Sequence, residues 1–432
     1  MSTLKSCDSQ EFAINKKTSS EVPEWTKGNY EINWVAVAVL FVPPLMVIAA
    51  ISAGIPLLQN TLLVGIFFYI FNGMIGITVG YHRLFAHRSY IGHPILQWIC
   101  AFAGAGAFEG SAKWWGRNHR IHHRYIDTPK DPYDATRGFL FSHMGWMVMK
   151  QNYALLGKVD VSDFKYNNII QFQHRHFFKI AMVSGIILPT VICGLGWGDW
   201  LGGYFYASLA KIVFVHHCTF FINSLAHTNL FGGKQNYSDR HSSHDSMVCA
   251  LLTFGEGYHN FHHEFAQDYR NGVKWYHFDP TKWVIRSCET LGLASNLTRT
   301  PNDIIERNMK QLRHKNYLVE IAKLEKRLKE LEPPISEEYT WKDIEDLVRQ
   351  GRKLIVIGDS VIDVQKSVPT GPGYTHGDER IVWYEAHPGG KKLLDMYVGR
   401  DATEVFLGGI YKHSLGAEGL IPHLRVAKIK RE

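Results

Sequence analysis

Between Glu31 and Arg83 the chain runs for 51 consecutive positions without an Asp, Glu, Lys or Arg. An α-helix rises 1.5 Å per residue and a bilayer's hydrocarbon core is about 30 Å thick, so this stretch is long enough to cross it twice. A purely soluble protein is therefore excluded. The averages conceal this: 46% apolar and 20% charged residues over 432 positions would suit an ordinary soluble protein. A strongly apolar part must be joined to a strongly polar one. The six cysteines form no CxxC pair, which argues against a disulfide scaffold and fits a reducing compartment. Aromatic content of 13% argues against disorder.

Residues 1–30 form a polar tail without the apolar region of a cleaved signal peptide, so the first span is expected to do the targeting. Residues 32–55 and 62–80 predict a hairpin of two spanning helices, and 180–198 and 204–226 two more, the last interrupted by Lys211. The run 89–108 reads as a helix dipping into the interface. Residues 83–179 carry thirteen Lys or Arg against six acidic residues, while the short turns near 56–61 and 196–203 have no Lys or Arg. The positive-inside rule then places both termini and the long loop in the cytosol. After about residue 230 no stretch could span. Residues 303–332 are helical by propensity and stopped by Pro333-Pro334. The expected organisation is a tail (1–30), a membrane domain (31–300), a helical linker (301–335) and a soluble domain (336–432).

Histidine is the second anomaly, at 23 residues. Three clusters stand out: His82 and His87 in HRLFAH, His119, His122 and His123 in HRIHH, and His259, His262 and His263 in HNFHH. On a helix, positions i, i+3 and i+4 share a face, so HxxHH turns three imidazoles toward one point. Residues five apart differ by about 140° on a regular helix, so the first cluster is expected to converge from a local turn where the second span ends. All three fall on the same predicted side, just beyond spans. Neutral imidazole in surroundings poor in thiol and carboxylate suits Fe, Zn or Cu rather than Mg, Ca or an iron–sulfur cluster.

Four ordered stretches, GITVGYHRLFAHRSY, WWGRNHRIHHRYIDTPKDPYDATRGFLFSHMGW, FINSLAHTNLFG and GEGYHNFHHEF, resemble the membrane fatty acyl desaturases, in detail the acyl-CoA Δ9 (stearoyl-CoA type) branch. The resemblance covers about 31–290. It implies a di-iron centre held by the eight clustered histidines and His227, with Asn223 holding a water that completes one iron's coordination. Removing hydrogen from an unactivated methylene is beyond side-chain acids and bases, so a metal and O2 must supply that chemistry. The resemblance also places Trp115, Arg117, Asn118 and Lys150 where the family contacts CoA. Met74 aligns with the region that closes the far end of the acyl tunnel, and a bulky side chain there would tilt preference toward palmitoyl chains. Three positions depart from the family: Asn118 stands for a common Asp, Gln151 for a second basic residue, and Glu109 for a frequent Gln.

Near the C-terminus, AHPGG, GRDATEVF and YKHS resemble cytochrome b5. The implied axial ligands of a haem b are His387 and His413, and the glycines permit close backbone approach. The segment between Val364 and His387 is longer than the family's usual link. A C-terminal haem domain and a third cluster that begins with His259 resemble the fungal arrangement. The expected fold is therefore mainly α: a four-span desaturase with a cytosolic helical cap, plus a small α+β haem domain. The implied partners are acyl-CoA, O2, NADH-cytochrome b5 reductase and the bilayer, not nucleic acid, and the implied location is the endoplasmic reticulum membrane. Two other readings share these residues: a related di-iron hydroxylase or desaturase of other regiospecificity, and a haem electron carrier with an inactive membrane anchor.

Overall fold

The computed structural model describes residues 31–331, 334–369, 380–409 and 413–430. The polar tail and residues 370–379 of the long segment before His387 lie outside them. The chain divides into two compact units at His314/Lys315.

Four helices of the first unit are long and apolar enough to cross a membrane: α1 (Trp34–Ser52), α2 (Gln59–Ala86), α5 (Phe177–Trp197) and α6 (Trp200–His227). Between them stand α3 (Pro94–Ala105), an apolar helix of twelve residues, too short to span, and α4 (Ala112–Tyr125). α1 starts where the Asn33 side chain accepts from the Ala36 amide, and only its Leu40 and Ala50 are buried. Its large side chains face outward, as a lipid-facing helix requires and a soluble one forbids. At 28 residues each, α2 and α6 exceed the roughly 20 that cross hydrocarbon. The second span thus does not stop at residue 80, its predicted end, but continues past His82 to Ala86, with His87 next in the chain. α2 crosses α3 so closely that a Cβ on Gly76 would lie 2.3 Å from the Gly104 amide nitrogen.

Lys211, expected to interrupt the fourth span, instead helps to fasten it. Its buried Nζ donates to Asn72 Oδ1 (2.7 Å), Gly185 O (3.2 Å) and Gly106 O (3.3 Å), one acceptor each from α2, α5 and the turn after α3. A buried ammonium is tolerated in apolar surroundings when several oxygens replace its water. The unit is completed by α7 (His259–Glu264), α8 (Pro280–Thr290), and a short antiparallel pair of β1 (Ile91–Gly92) with β2 (Ala294–Ser295). A long helix, α9 (Asn302–Leu331), runs across the boundary into the second unit.

The second unit is built on a four-stranded sheet ordered β3-β8-β5-β4: β3 (Glu338–Tyr339), β4 (Leu354–Ile357), β5 (Ser360–Asp363) and β8 (Arg425–Ile429). β4 and β5 form an antiparallel hairpin, and β8 lies antiparallel to β5 and parallel to β3. Side chains alternate across a strand. Leu354 and Val356 therefore pack with Ile344 of α10 (Trp341–Arg349), while Ile355 joins Ile362, Val364 and Leu424 on the opposite face. Both faces are apolar because each covers something, the second an open cavity beside His387 and His413. β6 (Ser367–Pro369) and β7 (Arg380–Val382) pair separately. Mainly helical membrane architecture with a small sheet-containing second unit is the fold class the sequence predicted.

Candidate metal and haem sites

From Ile70 to Ala86, α2 is wound as a π-helix. In that winding each amide bonds five residues back rather than four, and the His87 amide donates to the His82 carbonyl at 3.0 Å. Residues five apart are thereby brought onto one side, and the His82 and His87 rings lie 4.8 Å apart. The expected local turn is thus a change of helical pitch. The second cluster sits on α4 and the third on α7, both helical as the HxxHH spacing predicted. The first amides of α7, on Asn260 and Phe261, donate to Asp245 Oδ1. His227 closes α6 in a 3₁₀ turn.

The nine histidines converge in two groups: His82, His87, His119, His123 and His262, and His122, His227, His259 and His263, with potential ligand atoms inside 4.8 Å of one another in each. Their Nε2 atoms approach to 2.7 Å (His87–His119), 2.9 Å (His82–His262) and 3.0 Å (His123–His262) in the first, and to 3.0 Å (His259–His263) and 3.1 Å (His227–His259) in the second. Ligands at right angles about an ion, each about 2.1 Å from it, sit about 3.0 Å apart.

The outer nitrogens are held by acceptors. His122 Nδ1 lies 2.9 Å from Asp131 Oδ2 and His82 Nδ1 2.7 Å from Glu256 Oε2. His227 Nδ1 lies 2.8 Å from Ser242 Oγ, whose hydroxyl donates to Asp127. A carboxylate only accepts, so the proton goes to Nδ1 of His122 and the Nε2 lone pair points inward. Lone pairs converging at 3 Å repel unless a cation sits among them, so the donor set fits a transition-metal ion in each group. Burial, then the neighbouring imidazoles, pushes His87, His119, His123, His259, His262 and His263 well below the ordinary imidazole range, keeping them neutral as ligands must be.

Glu256 is fixed in turn by Arg83. That guanidinium, 1% exposed, donates to Glu256 Oε1, both oxygens of Asp279 and the Tyr269 carbonyl. Burial alone would raise the Glu256 carboxyl; the Arg83 charge beside it outweighs that and holds it low. Spacing singled out the eight clustered histidines but not His227, Asp131, Glu256 or Asp127, although the three carboxylates stand within a few residues of HRIHH and HNFHH.

Against the first group lies a largely apolar cavity of about 780 Å³, bounded by His82, His119, Trp115, Glu109, Asn223 and, on α2 further from the histidines, Ile77, Gly73 and Tyr69. The Trp115 ring stacks on His119 at 4.9 Å and 22°. A second cavity of about 880 Å³ shares Glu109, Trp114, Trp146, Met147 and Phe220 with the first and extends to Asn33, Gln151 and Tyr153. The expected substrate residues divide accordingly. Trp115 and Asn223 line the first cavity; the Arg117 guanidinium lies over Tyr153, 5.3 Å from its centroid, at the second. Lys150 pairs with Glu31 at 2.7 Å. Asn118 is wholly buried and its amide has no hydrogen-bond partner among the described residues. Met74 does not line the first cavity; its neighbour Gly73 does.

In the second unit a cavity of about 670 Å³ is lined by His387, His413 and apolar side chains including Ile355, Phe406 and Ile421. The two imidazole centres are 6.4 Å apart. Rings bound on opposite faces of one haem iron through bonds of about 2 Å have centres about 6 Å apart. His413 Nδ1 lies 3.0 Å from the Phe406 carbonyl, an acceptor that sets the tautomer ligating through Nε2. The residues fit a bis-histidine haem.

Together these features fit a membrane protein with two histidine groups able to hold metal ions and an attached haem-type domain. A fatty acid desaturase profile matches residues 58–296, and a cytochrome b5-like haem/steroid-binding domain profile matches 382–430. The chain is 41% identical over 410 residues to a probable acyl-CoA desaturase of Schizosaccharomyces pombe, covering 94% of this chain and 80% of that protein. It is 39% identical to acyl-CoA desaturase 1 of Saccharomyces cerevisiae, covering 98% and 78%. With human stearoyl-CoA desaturase it shares 33% identity, covering 60% and 72%. The chain belongs to the fatty acid desaturase family and is an oxidoreductase of that family with a C-terminal cytochrome b5 domain.

Proposed function

We propose that the chain inserts a cis double bond at carbon 9 of saturated acyl-CoA, palmitoyl or stearoyl, using two irons held by the two histidine groups. The observation that carries this reading is the apolar cavity running against His82 and His119. A saturated chain has no polar handle, so only the shape of a cavity can choose which carbon pair faces the metals. With O2 and two electrons, the irons would supply the oxidant that removes one hydrogen from each of two adjacent methylenes, leaving water as the other product.

The protein's own part is placement. His122, His82 and His227 are oriented from outside by Asp131, Glu256 and Ser242, Asn223 faces the cavity where a metal-bound water would stand, and Trp115 fixes the wall beside His119. Arg117 and Lys150, near the second cavity, suit the phosphates of CoA. With Met74 off the wall, chain length is set where Tyr69, Gly73 and Phe254 close the far end. The haem domain passes on electrons from NADH-cytochrome b5 reductase, and its tether replaces a bimolecular encounter with a high local concentration. The basic stretch 83–179 supports an endoplasmic reticulum protein with both termini in the cytosol.

Expression in a desaturase-deficient host, followed by gas chromatography of its fatty acids, tests this reading. Palmitoleate and oleate are expected. Hydroxy acids, or double bonds away from carbon 9, would overturn it.

A further inference from the structure

Glu109 stands in the wall that the two cavities share, in the turn between α3 and α4. Phe108 (φ 59°) before it and Gly110 (φ 96°) after it are both at positive φ, which glycine adopts freely but which in Phe108 is strained and persists only where surroundings impose it. The surroundings are visible. A Cβ on Gly110 would lie 2.6 Å from the Trp114 ring, and Lys211 of α6 holds the Gly106 carbonyl. Glu109 as a residue is 9% exposed. Thr219 Oγ1 donates to Oε1 at 2.7 Å, and the Trp115 indole N–H donates to Oε2 at 3.1 Å.

Both contacts are to neutral groups. The titratable side chains facing Glu109 are Tyr81 from α2, Tyr133 from the segment after α4, Cys218 and His216 from α6, and, across the first cavity, Tyr69, His82, His119 and Glu256. Among the described residues none of these is a Lys or Arg, so no lysine or arginine side chain offsets a negative charge here. Burial accordingly pushes the Glu109 carboxyl up to about 8. In the neutral acid both contacts survive: the Oε1 hydroxyl donates to Thr219 Oγ1, and Oε2 keeps the indole. An acyl chain running from one cavity into the other lays methylenes against this carboxyl and strips its remaining water, which the ionised form tolerates poorly.

We propose that Glu109 is a positioning residue for the acyl chain that works as a neutral carboxylic acid, so that the chain and the carboxyl proton bind together. This rests on the acyl-CoA reading above. If only the protonated form accepts the chain, the apparent Kd is the intrinsic value divided by the protonated fraction. With half-ionisation at about 8, affinity falls roughly tenfold between pH 7 and pH 9.

The test is equilibrium binding of a non-hydrolysable stearoyl-CoA thioether to the metal-loaded full-length chain across that range, with CoA lacking an acyl chain as the probe of the headgroup alone. The thioether should weaken by that factor while CoA does not, and Glu109→Gln, isosteric and unable to ionise, should bind the thioether with a flat profile. A second measurement needs no variant: at pH 8.5, thioether binding should take up a proton, seen as a binding enthalpy that changes with the buffer's ionisation heat. A flat wild-type profile, an unchanged slope in Glu109→Gln, or no proton uptake overturns the inference and leaves the acyl-CoA reading standing. No thioether binding at any pH overturns both.

Discussion

The two histidine-lined sites differ in what holds them. In the first unit nine imidazoles stand on or at the ends of helices, and three have Nδ1 tied to Asp131, Glu256 or Ser242. Arg83 then joins Glu256 to Asp279, linking the end of α2 to the start of α8 through buried charges. In the second unit, His387 closes a four-residue helix and His413 precedes α11 (Leu415–Leu424). Both are half-buried against apolar side chains, with the Phe406 carbonyl as the outer contact of His413. Small, hard-to-centre ions need ligands fixed in advance by a polar scaffold. A large apolar prosthetic group supplies much of its own binding energy by filling a cavity, so two ligands and a greasy wall suffice.

The largest effects should come from exchanging one ligand in each site. His122→Ala is expected to lower desaturation at least a hundredfold and reduce bound iron below the two per chain proposed above, while the haem absorption band stays intact. His413→Ala should do the reverse: lost haem band, retained iron, and activity restored only by an external electron donor. Metal analysis and visible spectra on the same preparations check both. If either variant lost both groups, the sites would not be independent. Next is Arg83→Met, which leaves Glu256 and Asp279 as buried carboxylates without their cation. Breaking a buried pair in this way costs about 3–5 kcal/mol. The loss should appear as early thermal unfolding of the membrane unit with the haem band unmoved; equal stability in Arg83→Met would show the network to be dispensable.

The same contrast explains what could be read before any coordinates. HxxHH spacing is a property of the α-helix, so His119, His122, His123, His259, His262 and His263 were legible from periodicity alone. His82 and His87 were not placed by it, because the pitch of α2 changes to π-helical and no local composition announces that. His227 has no spacing partner and emerged only by resemblance. Asp131 and Glu256 act through burial, a tertiary property that a linear pattern does not carry. Lys211 was read by its charge as a break in a span, whereas three oxygens from other elements make it a clamp. His387 and His413 were likewise named only through the resemblance of HPGG and KHS to cytochrome b5.

The smallest of the expected effects probes the scaffold most directly. Asp131 accepts from His122 Nδ1 and also from the Tyr133 amide, at 2.9 Å to Oδ1. In Asp131→Asn the amide oxygen can keep the Tyr133 contact, which turns the NH2 toward His122 Nδ1. A donor there forces Nδ1 to accept, moves the ring proton to Nε2 and removes the lone pair that the metal needs. The ligand count is unchanged, yet iron affinity should fall about 10–100-fold, as such outer partners typically contribute. Competition against a graded chelator series would measure this. Activity should return at saturating iron, which separates weakened binding from a damaged fold, and the haem band should not respond. Unchanged iron affinity in Asp131→Asn would mean that nine converging helical histidines need no fixed tautomer, and that the carboxylates around them serve stability rather than ligation.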